Sequence, residues 1–369
     1  MVSSGKKYWF GFAFGVALLA LFFVTTEWDL LLNALANANY WYLVPAVLLY
    51  QVSIFFRTLR WQSLLSNIRV ISIARLFPVV VIGYMANNLL PLRIGELVRS
   101  YYIGERENIS KTSALATIVV ERLLDALTLL VFIAVVAVFV PLMDLAEGFS
   151  DISNVPWPLL ATIISVPFAF GFTGLVLMAS APIRTAKILK AILRLLPTLA
   201  ESQLQSLVDL FLNGLGSLKS PWSILMLFLL SLPIWIFEAA LFFTIGYSFE
   251  LQHLYTSFFG MAIAMVLITA LSNLGSSIPA APGGIGLFEL ITREALVLLP
   301  LADIDRSVAS GYVTIVHAVL LIPMIGLGQL FLLLDNLSLG ILGRGGQSFA
   351  KSDKGASPNP LTTKRESGK

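Results

Sequence analysis

Six stretches of this chain, residues 8–25, 41–60, 116–140, 159–179, 222–247 and 308–334, are each long and apolar enough to cross a lipid bilayer as a helix. A hydrocarbon core about 30 Å thick needs roughly 20 helical residues. Inside it every backbone N–H and C=O must be bonded within the protein, which a helix achieves with one segment. The overall make-up agrees, with 57% hydrophobic residues, 12% charged residues and a mean hydropathy of +0.87 over 369 residues. Length therefore counts spans rather than soluble domains. There is no cysteine, and the only histidines are His253 and His317. Disulfides, thiolate metal centres and cysteine nucleophiles are excluded, and no metal or cofactor is expected. Lys6 and Lys7 before the first apolar run mimic a signal peptide, but the run lacks a small-x-small cleavage site and reads as an uncleaved span.

The connections 27–40, 141–158 and 248–257 contain no lysine or arginine, whereas basic residues gather in 57–75, 93–111, 184–194 and Lys219. Positive residues favour the cytoplasmic side, so both termini are expected there, in the plasma membrane. That orientation constrains two further apolar stretches, 73–103 and 258–300. A full crossing within the first would leave Arg93 to Lys111 outside, and a hairpin that enters and leaves on the cytoplasmic side removes the conflict. The second must likewise return to the outer side. The expected fold is an all-α polytopic membrane protein of six full spans plus two re-entrant helical hairpins, with eight full spans as the alternative. Residues 1–339 form its membrane domain. Residues 183–196 carry Arg184, Lys187, Lys190 and Arg194 among Ile and Leu, the pattern of an amphipathic helix lying in the interface. Residues 340–369 bury too little apolar surface to order themselves and read as a disordered cytoplasmic tail.

The two hairpin tips match weakly. Pro91-x-x-Ile94-Gly95-Glu96 and Pro282-x-x-Ile285-Gly286-x-x-Glu289 share Pro-x-x-Ile-Gly with a glutamate shortly after. Interrupted apolar segments at corresponding places in two halves point to an inverted repeat with a binding site near the midplane. Gly283, Gly284 and Gly286 serve either as a turn that needs positive φ or as the unobstructed start of a helix whose free amides attract an anion. Arg93, Glu96 and Arg99, at i, i+3 and i+6, are expected on one helical face, either drawing in an anionic head group or forming a neutralised structural cluster. Glu121, Arg122 and Asp125 are too costly to face lipid and must point into the bundle, for function or for pairing with Arg93 or Arg99. Glu238, mid-span with no base in its own helix, is protonated, paired with a hairpin arginine, or hydrogen-bonded to a neighbouring helix. Arg57 and Arg60 read as interface anchors, and His317 and Gln329 as helix–helix hydrogen bonds. No catalytic constellation emerges.

Four ordered motifs, Arg57-x-x-Arg60-Trp61, Asn88-x-x-Pro91-x-Arg93-x-Gly95-Glu96-x-x-Arg99, Glu121-Arg122-x-x-Asp125 and Pro279-x-x-Pro282-Gly283-Gly284-Ile285-Gly286-x-x-Glu289, resemble the flippase-like membrane domain of lysylphosphatidylglycerol synthases. The resemblance runs from about residue 8 to residue 337. It implies a membrane domain associated with moving a lipid product across the bilayer, here without the soluble aminoacyl-transferase domain, and hence no enzyme. It places Arg93, Glu96, Arg99, Glu121, Arg122, Gly283, Gly284 and Glu289 at family motif positions without fixing their roles.

Three functions are expected to compete. The first is a flippase or transporter that binds an anionic phospholipid or polyprenyl-linked head group through Arg93, Glu96, Arg99, Glu121, Arg122, Asp125, Glu238, Gly283, Gly284, Gly286 and Glu289. The second is a non-transporting partner that presents lipid to a separate glycosyltransferase or lipid synthase. The third is an intramembrane transferase using Glu121 or Glu238. The expected partners are membrane lipids and such an enzyme, and no feature points to nucleic acid.

Overall fold

The computed structural model describes residues 27–90, 93–140, 142–153, 221–277 and 282–335, with isolated positions at 20–24 and 155–173. The interfacial helix at 183–196 and the tail at 340–369 lie outside the described residues, as do nearly all of the spans expected at 8–25 and 159–179.

The described residues form ten α-helices and no strand: α1 (Trp28–Asn37), α2 (Leu43–Leu65), α3 (Ile73–Leu89), α4 (Gly95–Glu107), α5 (Lys111–Val136), α6 (Leu142–Ser153), α7 (Pro221–Ser248), α8 (Phe258–Ser276), α9 (Leu287–Leu298) and α10 (Arg306–Leu334). Their ends follow local chemistry. Ser110, Ser257 and Asp305 accept hydrogen bonds from the first free amides of α5, α8 and α10, at Ser113, Gly260 and Ser307. Asn108, at φ 52°, closes α4 in the left-handed conformation.

Among the described residues four segments are long and apolar enough to cross a membrane, Tyr40–Leu65, Trp222–Ser248, Phe258–Ser276 and Arg306–Leu334. The 26 residues of α5 have the length, but Glu121, Arg122 and Asp125 sit in its middle. In each of the two interrupted stretches the flanking helices pack on each other, α3 against α4 and α8 against α9. Their arms are unequal, 17 residues against 13 and 19 against 12. In both pairs the first helix is the longer, and Pro78 inside α3 does not end it.

The order α2, α3, break, α4, α5 recurs as α7, α8, break, α9, α10. Packing repeats with it. α2 rests on α7, α3 on α10 as α8 on α5, α4 on α5 as α9 on α10, and α2 on α3 as α7 on α8, so exchanging the halves maps each of these pairings onto another observed one. The two halves run in opposite directions. At one end of the α2–α7 pair the Asn39 N–H donates to the Ser248 carbonyl at 2.9 Å, and at the other Arg60 Nη1 donates to Ser231 Oγ at 2.7 Å. The partner number falls as the α2 number rises, which defines an antiparallel pair and an inverted repeat. The five-residue match at the tips does not extend to backbone conformation, since Gly286 holds φ at 89° whereas Gly95 is the first residue of a helix.

The first hairpin closes on glycine. Gly95 N donates to Asn87 Oδ1 at 2.7 Å, and a methyl at Gly95 would overlap the Gly83 carbonyl oxygen and lie 2.5 Å from Asn87 Oδ1. Gly95→Ala should therefore cost about 1–3 kcal/mol by overpacking, seen as a lower melting temperature in detergent. Gly326→Ala, which has open space around its added methyl, should leave stability nearly unchanged.

Candidate functional site

The two breaks meet. A Cβ built on Gly283 would lie 3.5 Å from the Asn88 carbonyl oxygen, so little more than a van der Waals gap separates the tips. Around this meeting point lies a cavity of about 560 Å³ whose walls come from both halves. Its charge comes from Arg57 on α2, Arg93 and Glu96 at the first break, Arg122 and Asp125 on α5, and Glu238 on α7. Gly283, Gly284 and His317 complete the opposite wall.

In and behind this wall, four helices, α2, α4, α5 and α7, are tied by ion pairs. Arg57 Nη2 lies 2.8 Å from Glu238 Oε2 and its Nη1 lies 3.5 Å from Asp125 Oδ2. Arg60 Nη2 lies 2.8 Å from Asp125 Oδ1 and 3.9 Å from Glu121 Oε1, while Arg99 Nη1 meets Glu121 Oε2 at 2.8 Å. Arg122 Nη2 approaches Asp125 Oδ2 at 3.3 Å and the Tyr84 hydroxyl at 3.4 Å. The guanidinium of Arg99 stacks over Trp61 at 3.6 Å and that of Arg57 over Trp235 at 4.5 Å. Four arginines thus face three carboxylates, an excess of one positive charge before Arg93 and Glu96 are counted. Charges so deeply buried persist only when paired, because desolvation of a lone ion costs several kcal/mol.

Arg93 differs from the rest. It makes no ion pair among the described residues, lines the cavity, and holds φ at 54°, a conformation disfavoured for any side-chain-bearing residue. It therefore sits on the turn before α4 rather than on that helix, and the expected common face of Arg93, Glu96 and Arg99 does not form. Glu96 accompanies Arg93 on the cavity wall, whereas Arg99 turns back toward Glu121 and Trp61.

The second break also departs from expectation. Gly283, Gly284 and Gly286 do adopt positive φ, at 63°, 75° and 89°. The amide of Gly286, which opens α9, already donates to Glu289 Oε2 at 2.7 Å. The N-cap amide of the helix is thus taken by the helix's own carboxylate. Gly286 and Glu289 lie behind the wall, and only Gly283 and Gly284 line the cavity.

Arg57 and Arg60 are not interface anchors, with only 4% and 0% of their surfaces exposed. Their i, i+3 spacing puts both on the face that packs on α7, and the buried Ser53 one turn earlier was the signal for that face. The partner of Glu238 is this span arginine, not one from a hairpin. His317 does bridge segments, bonding Glu289 on α9 and the Gly283 carbonyl. No hydrogen bond of Gln329 is found among the described residues.

The sequence profile described as Lysylphosphatidylglycerol synthase TM region matches residues 8–328. The chain belongs to this family. Within the lysylphosphatidylglycerol synthase TM region family it is similar to a UPF0104 membrane protein of Methanothermobacter thermautotrophicus, 34% identical over 140 residues that cover 36% of this chain and 38% of the relative. A UPF0104 membrane protein of Methanocaldococcus jannaschii is 25% identical over 288 residues, covering 74% of this chain and 80% of the relative. Glycosyltransferase AglD of Haloferax volcanii is 24% identical over 329 residues, covering 82% of this chain but 50% of AglD. The matched region thus stands nearly alone in one relative and as half of a longer protein in another.

Proposed function

We propose that this membrane protein binds the anionic head group of a phospholipid or polyprenyl-linked lipid in the cavity between the hairpin tips and carries it from one leaflet to the other, in a plasma membrane with both termini cytoplasmic. The observation that carries this reading is Arg93, which makes no ion pair among the described residues, at the meeting point of the two breaks. A guanidinium with no ion pair among the described residues, in a chamber whose ion-paired cluster holds one more arginine than carboxylates, suits an anion. Inverted halves around such a site are the architecture in which rocking exposes one site to either side in turn. The buried indole N–H of Trp235 has no hydrogen-bond partner among the described residues and is a further donor for a polar head group.

Purified protein in vesicles should accelerate the movement of a fluorescent phosphatidylglycerol between leaflets, measured by dithionite bleaching of the outer label. Vesicles that match protein-free controls for this lipid and for a polyprenyl phosphate would overturn the transport reading. One observation favours the second reading, a stationary lipid site serving another enzyme: this chain matches half of a protein named a glycosyltransferase. Binding of the same lipids without movement, with co-purification of a glycosyltransferase, would select it. The transferase reading has less support, since Glu121 and Glu238 each have one carboxylate oxygen held by an arginine at 2.8 Å, and Glu121 does not line the cavity.

A further inference from the structure

His317 sits on α10 with both ring nitrogens facing oxygen. Nδ1 lies 2.6 Å from Glu289 Oε1 and Nε2 lies 3.0 Å from the Gly283 carbonyl oxygen. A neutral imidazole has one N–H and can donate to only one of two acceptors. Both contacts are made either by an imidazolium beside a carboxylate or by a neutral imidazole beside a protonated Glu289. In both arrangements the pair holds one proton more than the carboxylate and neutral ring together. Remove that proton and one contact sets a lone pair against a lone pair.

Of the two contacts, the one to Gly283 can give way. Glu289 Oε2 is fixed by the Gly286 amide at 2.7 Å, and the ring is held by Phe288 stacked 4.3 Å away. Gly283 lies on a turn with three glycines at positive φ, which can change conformation without the steric penalty of a side chain. A methyl added at Gly283 would lie 3.1 Å from the Leu321 side chain of α10 and 3.5 Å from the Asn88 carbonyl of the opposite tip, so the turn is close to both. We infer that the Glu289–His317 pair is a one-proton latch, which holds the second hairpin tip on α10 when protonated and frees it to open the cavity when the proton leaves.

The other ionisable groups around the chamber do not touch the imidazole. From α2 come Tyr50 and Arg57, from α3 Tyr84, and from α7 Glu238. Arg93 and Glu96 at the first break and Arg122 and Asp125 on α5 share the same space. The packed helix α1 carries only Asp29, which is exposed. Glu289 is the one carboxylate within hydrogen-bonding reach of the ring among the described residues. Opening of the tip is therefore proton-linked through this pair, whether or not a lipid is carried across.

The absence of native cysteine makes the test direct. Ser277→Cys places one thiol at the cavity wall beside the tip. Its modification rate by a water-soluble methanethiosulfonate is measured across a pH series and normalised to the ionisation of a free thiol. The normalised rate should rise about tenfold with pH, the size of an ordinary coupling. Adding Glu289→Gln should give a slow rate with no pH dependence, because the amide caps Gly286, donates to Nδ1 and leaves Nε2–H for Gly283 without a titrating proton. Adding His317→Ala should give a fast rate, also flat. If the Glu289→Gln protein follows the same pH profile as its parent, the latch is wrong, and this pair decides the matter even if His317→Ala fails to fold. Thiol modification reads the tip alone, so failure of lipid movement in vesicles leaves this result standing, and the reverse holds too.

Discussion

Arg57→Met should be among the most destabilising single changes in this protein, by about 3–5 kcal/mol. The methionine fills most of the volume but leaves Glu238 without its 2.8 Å partner and Asp125 with one fewer. Glu238, with 2% of its surface exposed, cannot recover the loss from water. The cost is that of an orphaned buried charge rather than the net value of the pair, since a paired ion's attraction is largely offset by desolvation. This distinction is measurable. Glu238→Gln added to Arg57→Met should restore much of the lost stability, with a coupling between the two changes well outside additivity. Thermal unfolding of the four proteins in detergent gives the cycle. Independent, additive losses would mean that the short Arg57–Glu238 contact carries no energetic coupling.

Arg93→Gly should have the opposite profile, with function lost and fold kept. Glycine relieves the φ of 54°, a conformation that costs an L-residue roughly 1–2 kcal/mol. No ion pair is broken, because Arg93 has none among the described residues. The melting temperature should stay level or rise. A charge-assisted hydrogen bond to a head group is worth about 1.5–3 kcal/mol, so the affinity for an anionic lipid should fall about 10- to 100-fold. Affinity is read by titrating a fluorescent anionic lipid in detergent, and vesicle assays should show movement falling in parallel. Arg93→Lys should retain part of both, because it keeps the charge but loses the planar fork. A loss of stability with unchanged lipid affinity would return Arg93 to a structural role and remove the main support for the proposed site.

These two arginines show where sequence reasoning holds and where it stops. Arg93 was legible as a candidate because it follows the break at Pro91, but its place on the turn, apart from Arg99, was not, since the i, i+3, i+6 spacing suits a helical face equally well. Arg57 did not, because an arginine near the end of an apolar run satisfies the anchor pattern equally well. Only the packing of α2 on α7 turns it inward. The same limit applies to Glu289. A glutamate three residues after a glycine can leave the helix start open to a ligand or cap it, and the choice depends on whether His317, 28 positions away, holds the other oxygen.

The sequence by itself determined what solvation forces on a single segment: that the chain is helical, that it lies in a membrane, where its apolar runs break, and that Glu121, Arg122, Asp125 and Glu238 must turn inward. These follow from the transfer cost of backbone and charge into hydrocarbon, which depends on neighbours along the chain. The tertiary structure alone decided who pairs with whom: Arg57 with Glu238, Arg99 with Glu121, His317 with Glu289 and Gly283, and Arg93 with no ion partner among the described residues. An ion pair in a low-dielectric interior is fixed by distances of a few ångströms between segments far apart in sequence, and no local pattern encodes those distances.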